Sequence, residues 1–147
     1  MRAVRLIILS LTLLAACTSR STPEAEVRAL IARGEEAAEA RDTGAVMALV
    51  SEQYSDELGR DRQALRNFVR GFFLVNQRVR LLTRIESIEF PEDGLARVRL
   101  VVGMLGTRGD EEDWSFAAEL HELDIELVRE GGEWRVLHAR RHRPGGA

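Results

Sequence analysis

Residues 78–105 read RVRLLTRIESIEFPEDGLARVRLVVGML, and the period of their apolar positions decides the fold. Val79, Leu81, Thr83 and Ile85 recur at every second residue, the spacing of a strand with one face on a core. Ile88 and Phe90 then fall out of phase. A one-residue slip turns a whole face to water, so a β-bulge is expected near Glu86-Ser87, where it restores one apolar face and bends the strand. Pro91-Glu92-Asp93-Gly94 is a turn signal. Beyond it Ala96, Val98, Leu100, Val102 and Met104 alternate again, which pairs Phe90 with Ala96 and Ile88 with Val98.

Working toward the C-terminus, the same period predicts further strands. The four are expected at 78–90, 94–105, 113–128 and 133–142, joined by the first turn, a polar loop over 106–112 and Glu130-Gly131-Gly132-Glu133. In the third, Trp114, Phe116, Ala118 and Leu120 share one phase and Leu123, Ile125 and Leu127 the other, so a second bulge is expected near His121-Glu122. This register sets Met104 opposite Trp114 and Val102 opposite Phe116. On the outer face it sets Glu89 opposite Arg97 and Arg99 opposite Glu119. The expected inner face also carries Trp134, Val136 and His138.

Toward the N-terminus the period is helical. Thr22-Pro23-Glu24 is a helix start with Thr as N-cap and Pro at the first position. Val27, Leu30, Ile31, Gly34 and Ala38 follow at helical spacing. Asp42 caps a second, short helix carrying Met47 and Val50. A third runs from about Asp61 to Asn76, with Leu65, Phe68, Val69 and Phe72 on one face. The expected fold class is therefore α+β: three N-terminal helices packed on a strongly curved four-strand antiparallel meander.

The first residues serve export. Arg2 and Arg5 precede an 11-residue apolar run at 6–16, too short to span roughly 30 Å of hydrocarbon. Leu14-Ala15-Ala16-Cys17 resembles the lipobox of bacterial lipoprotein signal peptides, matching at Leu14, Ala16 and Cys17. The resemblance implies removal of residues 1–16, lipidation of Cys17 and a tether over 17–22 before a domain at 23–143, with a disordered tail at 144–147. Thr18-Ser19-Arg20-Ser21-Thr22 reaches at most about 18 Å when extended, which holds the domain near the lipid. Several acyl chains anchor far more firmly than one. In a cell with two membranes, Thr18 in place of the Asp of inner-membrane retention makes the outer membrane, facing the periplasm, the expected address.

Composition narrows the partners. The mature chain would keep 131 residues, with 19 basic side chains against 24 acidic, enough for one domain. All 21 basic residues of the full chain are Arg. A net acidic chain lacks the basic stripe that a phosphate backbone requires, so no nucleic-acid partner is expected. Cys17 is the only cysteine, which excludes an internal disulfide. Arg140-Arg141-His142-Arg143 reads as a solvated basic end, or as a contact to anionic lipid beside the anchor.

The order of elements resembles the nuclear transport factor 2-like, or cystatin-like (SnoaL-like), α+β superfamily. Arg41-Asp42, Tyr54-Ser55-Asp56, Asp93-Gly94-Leu95-Ala96 and Gly132-Glu133-Trp134-Arg135-Val136 carry the resemblance over about residues 24–142. It implies helices closing one side of a cone-shaped sheet, and a cone that often holds a small ligand. The resemblance suggests Tyr54 and Asp56 at the pocket mouth; Phe72, Trp114, Phe116, Trp134 and His138 complete the candidate pocket, with the aromatic residues as walls if the helices leave the cone open and as core otherwise.

Chemistry in such a cone needs a base within hydrogen-bond reach of its proton. The expected inner face offers only Thr83 and His138 as polar groups and no carboxylate. His138 reads first as a structural histidine and second as a base. Tyr54 reads as a plug at the helix–sheet junction or as a ligand donor, and Asp56 as a turn residue or its partner. His121, His138 and His142 fall on differing faces, so neither a metal nor a cofactor is expected. Val101, Leu105, Ala117 and Leu137 form an outer patch suited to a homodimer or an envelope protein partner.

The expected function is a membrane-anchored, non-catalytic binding domain for a small apolar ligand or a protein partner. The alternative is an enzyme of the ketosteroid isomerase or polyketide cyclase type. Mass spectrometry of the chain from its own envelope should show residues 1–16 absent and an acylated Cys17. A Cys17→Ala chain should keep its leader, and an unmodified Cys17 behind a cleaved leader would contradict the lipobox reading.

Overall fold

The computed structural model describes residues 21–107 and 120–142. The expected leader, Cys17, Trp114, Phe116, Ala117 and the expected C-terminal tail lie outside the described residues. The elements run α1 (Pro23–Glu39), α2 (Thr43–Ala48), β1 (Val50–Asp56), α3 (Arg62–Val75), β2 (Arg78–Glu92), β3 (Leu95–Thr107), β4 (Leu120–Glu130) and β5 (Glu133–His142).

All three helices start where a side chain takes an orphan amide. Thr22 Oγ1 accepts from the Ala25 amide at 3.2 Å, Asp42 Oδ1 from Ala45 at 2.9 Å and Asp61 Oδ1 from Ala64 at 2.8 Å. Between α1 and α2 the chain reverses through Arg41, whose φ of 56° is left-handed. Its guanidinium donates to the Gln77 carbonyl at 3.2 Å, which ties this turn to the end of α3.

The sheet is five-stranded and mixed, ordered β1-β5-β4-β3-β2. This corrects the four-strand antiparallel meander. The added strand, β1, pairs parallel with β5, Val50 opposite Val136 and Ser55 opposite His138. Its sequence VSEQYSD carries only two large apolar residues, four apart, so neither strand nor helix periodicity announces it. Val50, expected in the second helix, instead opens this strand.

The bulge expected near Glu86-Ser87 is present: Ile85 pairs with Leu100 and Ser87 with Arg99, which leaves Glu86 as the extra residue. Ile88 faces Val98 and Glu89 faces Arg97, as expected, but the register shifts again between Glu89 and Glu92, so Phe90 does not pair with Ala96. The next hairpin differs. Val102 pairs with His121 and Leu100 with Leu123, and Arg99 faces Asp124 instead of Glu119. The expected register of this hairpin is displaced by five residues, and no bulge interrupts β4 at His121-Glu122. The reason is packing. This register stacks Ala96 on Leu127, Val98 on Ile125 and Leu100 on Leu123, so the second apolar phase of the strand, not the Trp114 phase, continues the core. A bulge falls in β5 instead: Val136 pairs with Leu127 and His138 with Glu126, which leaves Leu137 unmatched. Bulges add bend and twist to a sheet.

The largest core cluster joins Val27 and Leu30 of α1 to Ala96, Val98, Leu100, Val102, Ile125, Leu127 and Trp134. One end of α1 is pinned by polar contacts. The Trp134 indole donates to Glu26 Oε2 at 3.1 Å, the Arg129 guanidinium pairs with the same oxygen, and it also lies 4.8 Å from the Trp134 ring centre. The Ser21 hydroxyl, outweighing partial burial, and then Arg129 and the indole hold the Glu26 carboxyl below its ordinary range.

Leu127 is 0 % exposed at the centre of this cluster. Leu127→Ala should destabilise the fold by about 2–5 kcal/mol in urea titration. A loss well under 1 kcal/mol would contradict the β3–β4 register.

Candidate functional site

The apolar faces of the helices and sheet do not close on each other completely. A cavity of about 320 Å³ remains among α1, α3, the end of α2 and the inner face of the sheet. Its origin lies in the side chains of α1. In the N-terminal half Val27 and Leu30 reach the sheet, whereas further along Gly34 and Ala38 contribute almost nothing to the same space. Leu100, Val102, Leu123 and Ile125 line the sheet side, and Val69, Phe72 and Phe73 the α3 side. Phe68 also lines it and is 54 % exposed, which places this ring at the mouth. The Arg60 guanidinium sits 5.4 Å from the Phe68 ring centre.

Two polar side chains line the cavity among the described residues, Glu35 and Thr83. Glu35 Oε1 accepts from the Thr83 amide at 3.0 Å and also from the Thr83 hydroxyl. The amide belongs to β2, the sheet's edge strand, so the contact covers one of its otherwise open donors. Strand alternation places no carboxylate on the inner face of the sheet, and the carboxylate-bearing residue beside this space, Glu35, comes from α1 instead. The sequence does carry a signal: Val27, Ile31, Glu35 and Ala38 follow one another at four, four and three residues, so Glu35 stands within the apolar stripe of α1.

The residues expected in the pocket divide. Phe72 lines the cavity. Trp114 and Phe116 fall outside the described residues. Trp134 is buried in the core cluster and engaged with Glu26, away from the lining.

His138 stands on the opposite face from the one expected. Because Leu137 is the bulged residue, the alternation of β5 reverses there: Val136 lines the cavity, while His138 lies in a polar depression on the outer face. Its Nδ1 is 3.3 Å from Ser55 Oγ. The same depression holds the ion pairs Arg97–Glu126 at 3.2 Å and Arg99–Asp124 at 3.0 Å. Exposed pairs of this kind stabilise by at most about 1 kcal/mol. The apolar part of the outer face centres on Leu82 and Leu120, on either side of Gly103 in register, each 62 % exposed.

Tyr54 and Asp56 form a junction, not a pocket wall. Tyr54 packs with Met47, Val50, Leu65 and Val136 where β1 meets the helices. Asp56 Oδ1 accepts from the Leu58 and Arg60 amides, both at 2.9 Å, and Oδ2 from Arg60 Nε at 2.6 Å. Burial would raise the Asp56 carboxyl, but the Arg60 amide, the Arg60 guanidinium and the Leu58 amide outweigh it and hold it below the usual range. Burial first, and the Asp56 charge second, push the Tyr54 phenol up to about 12 against a smaller pull from Arg60.

Among solved structures, a Nostoc punctiforme protein with a cystatin-like fold has a TM-score of 0.66 at 17 % identity, covering 86 % of this chain and 81 % of that one. The chain has the cystatin-like fold. A protein from a Streptomyces species shares it at a TM-score of 0.69 and 20 % identity, covering 84 % and 93 % of the two chains. So does a Novosphingobium aromaticivorans protein described as a candidate scytalone dehydratase, at 0.63 and 16 %, covering 80 % of each chain. No protein-family model and no curated protein matches the chain. At these identities the cystatin-like likeness concerns the fold, and one fold serves many functions. Among the described residues of this cystatin-like domain, the cavity is lined by apolar side chains and the Glu35–Thr83 pair.

A phenol whose folded value is raised contributes stability that is fully present below the unfolded value near 10 and lost as pH rises through about 12. Urea titrations across that window should show a loss of about 2–3 kcal/mol. In Tyr54→Phe this part of the loss should vanish. An identical alkaline profile in the variant would contradict the buried junction.

Proposed function

We propose that the chain is an envelope lipoprotein, anchored through Cys17, whose cystatin-like domain holds a small apolar ligand between its helices and its sheet. The observation that carries the reading is the unfilled apolar space: a folded core normally packs to the density of an organic crystal, yet here about 320 Å³ stays open beside Phe68. That volume lies at the lower end of ordinary ligand pockets, about 300–1,000 Å³. The apolar lining supplies a driving force of roughly 25 cal/mol per Å² of ligand surface removed from water.

A cyclase-type enzyme would draw on the same fold, which a candidate scytalone dehydratase shares. The positions of Tyr54, Asp56 and His138 weigh for binding instead, since none of the three lines the cavity. Outward-facing Leu82 and Leu120 offer a separate place for an envelope protein or a second copy to dock. The leader and the short tether at 17–22 supply the envelope address.

Native mass spectrometry of the mature chain purified from its own envelope should show a discrete small-molecule adduct that organic solvent releases. A bare acylated chain in repeated preparations, with no uptake of added apolar compounds, would contradict the binding role.

A further inference from the structure

We propose that the outward side of α3 docks on an anionic lipid surface, its arginines against the headgroups and its exposed apolar side chains dipping below them.

α3 reads RQALRNFVRGFFLV, three arginines without an Asp or Glu, in a chain whose 24 acidic residues outnumber its 21 basic ones. Its inner side presents Val69, Phe72 and Phe73 to the rest of the domain. Arg62 also turns inward, donating to the Met47 carbonyl at 2.8 Å and pairing with Glu52 at 3.3 Å. Arg66 and Arg70 stay outside, four residues apart on one flank, and both are exposed. Leu74 continues their row and is 73 % exposed, and Val75 beside it is 55 % exposed. Two turns before Val75, on the other flank, stands the exposed Phe68, with the Arg60 guanidinium over its ring. Asp61, the acidic residue next to the helix in sequence, is engaged as its cap.

A basic helix side that also leaves large apolar side chains in water suits a lipid interface, which receives both. Headgroup phosphates take the guanidinium groups, each worth about fivefold in affinity near an anionic surface. The long arginine stems keep their charges at that level while Leu74 and Val75 reach deeper. Phosphate backbones of nucleic acid would leave those two side chains in water. A second copy of this side would bring no carboxylate of its own to the arginines. The apolar residues stand along a convex helix, not in a groove, and a fluid interface needs no matching shape. Phe68 also marks the cavity mouth, so docking would turn that mouth toward lipid. That consequence rests on the ligand-binding reading, whereas the docking does not.

The test is sedimentation with vesicles of the chain beginning at Thr18, which omits Cys17 and keeps every described element. The vesicles are phosphatidylcholine alone, or phosphatidylcholine with about one part in three phosphatidylglycerol. The chain should bind the anionic vesicles at least about fivefold more tightly than the neutral ones. Binding should fade toward 1 M salt, where charges reach only about 3 Å. Arg66→Gln with Arg70→Gln should weaken it by about tenfold or more. Leu74→Ser with Val75→Ser should weaken it severalfold. All four side chains are exposed, so circular dichroism should show these variants folded. Arg97→Gln with Arg99→Gln, on the outer face of the sheet, should change binding by less than about twofold. Equal losses from the two arginine pairs would mean unspecific charge attraction and overturn the assignment to α3. Equal binding to both vesicles, or to neither, would overturn the docking. Dimerisation abolished by Leu74→Ser, in a chain that ignores vesicles, would give this side to a second copy instead. Each of these failures would leave the cavity reading standing, since no residue lining the cavity is altered.

Discussion

Helix α1 is held to the sheet by two carboxylates, and the space beneath it depends on that suspension. Glu26 meets the Trp134 indole and Arg129 at one end, and Glu35 meets the Thr83 amide and hydroxyl further along. Between these points Val27 and Leu30 fill the gap to β3 and β4. Past them the helix offers Gly34 and Ala38, while the opposing wall still carries Leu100, Val102 and Leu123. A helix free to settle would reduce such a void, because empty apolar space forfeits dispersion contacts. Two polar attachments, one at each side of the filled zone, fix the separation instead.

The sheet does its part through the register shifts at Glu86 and Leu137. Glu86 lets Ile85 and Ile88 point to the same core although they stand three residues apart. Leu137 does the reverse in β5, keeping Val136 inside and sending His138 outward to Ser55. The two faces therefore differ sharply in chemistry. Among the described residues the inner one is apolar apart from Thr83, and the outer one carries Arg97, Arg99, Asp124 and Glu126 as an ion-pair ladder. Since those pairs are exposed, their contribution is to register and solubility more than to stability.

Much of this architecture is legible from local rules. Caps at Thr22, Asp42 and Asp61 mark the starts of the helices, since orphan amides need a nearby oxygen. The phase slip between Ile85 and Ile88 reveals the first bulge, because a buried face cannot change sides without one. Features set by tertiary pairing are not legible. VSEQYSD becomes a strand only because β5 offers it a parallel edge. The β3–β4 register turns on which of two apolar phases meets Ala96 and Val98, and loop length alone cannot choose. Alternation misplaces His138 because the bulge at Leu137 sits within the consecutive apolar residues Val136 and Leu137, where alternation carries no signal. Glu35 escapes a search for polar groups confined to the strands, because it stands in the apolar stripe of a helix.

Xenon offers the most direct measurement of the central claim, because genuinely apolar cavities admit it without needing any polar partner. Crystals of the protein pressurised with xenon should show an atom among Phe72, Leu100, Val102 and Leu123, with the surrounding side chains unmoved. The same side chains packed against α1 with no xenon between them would mean that the helix rests on a filled core and that the domain has no chamber.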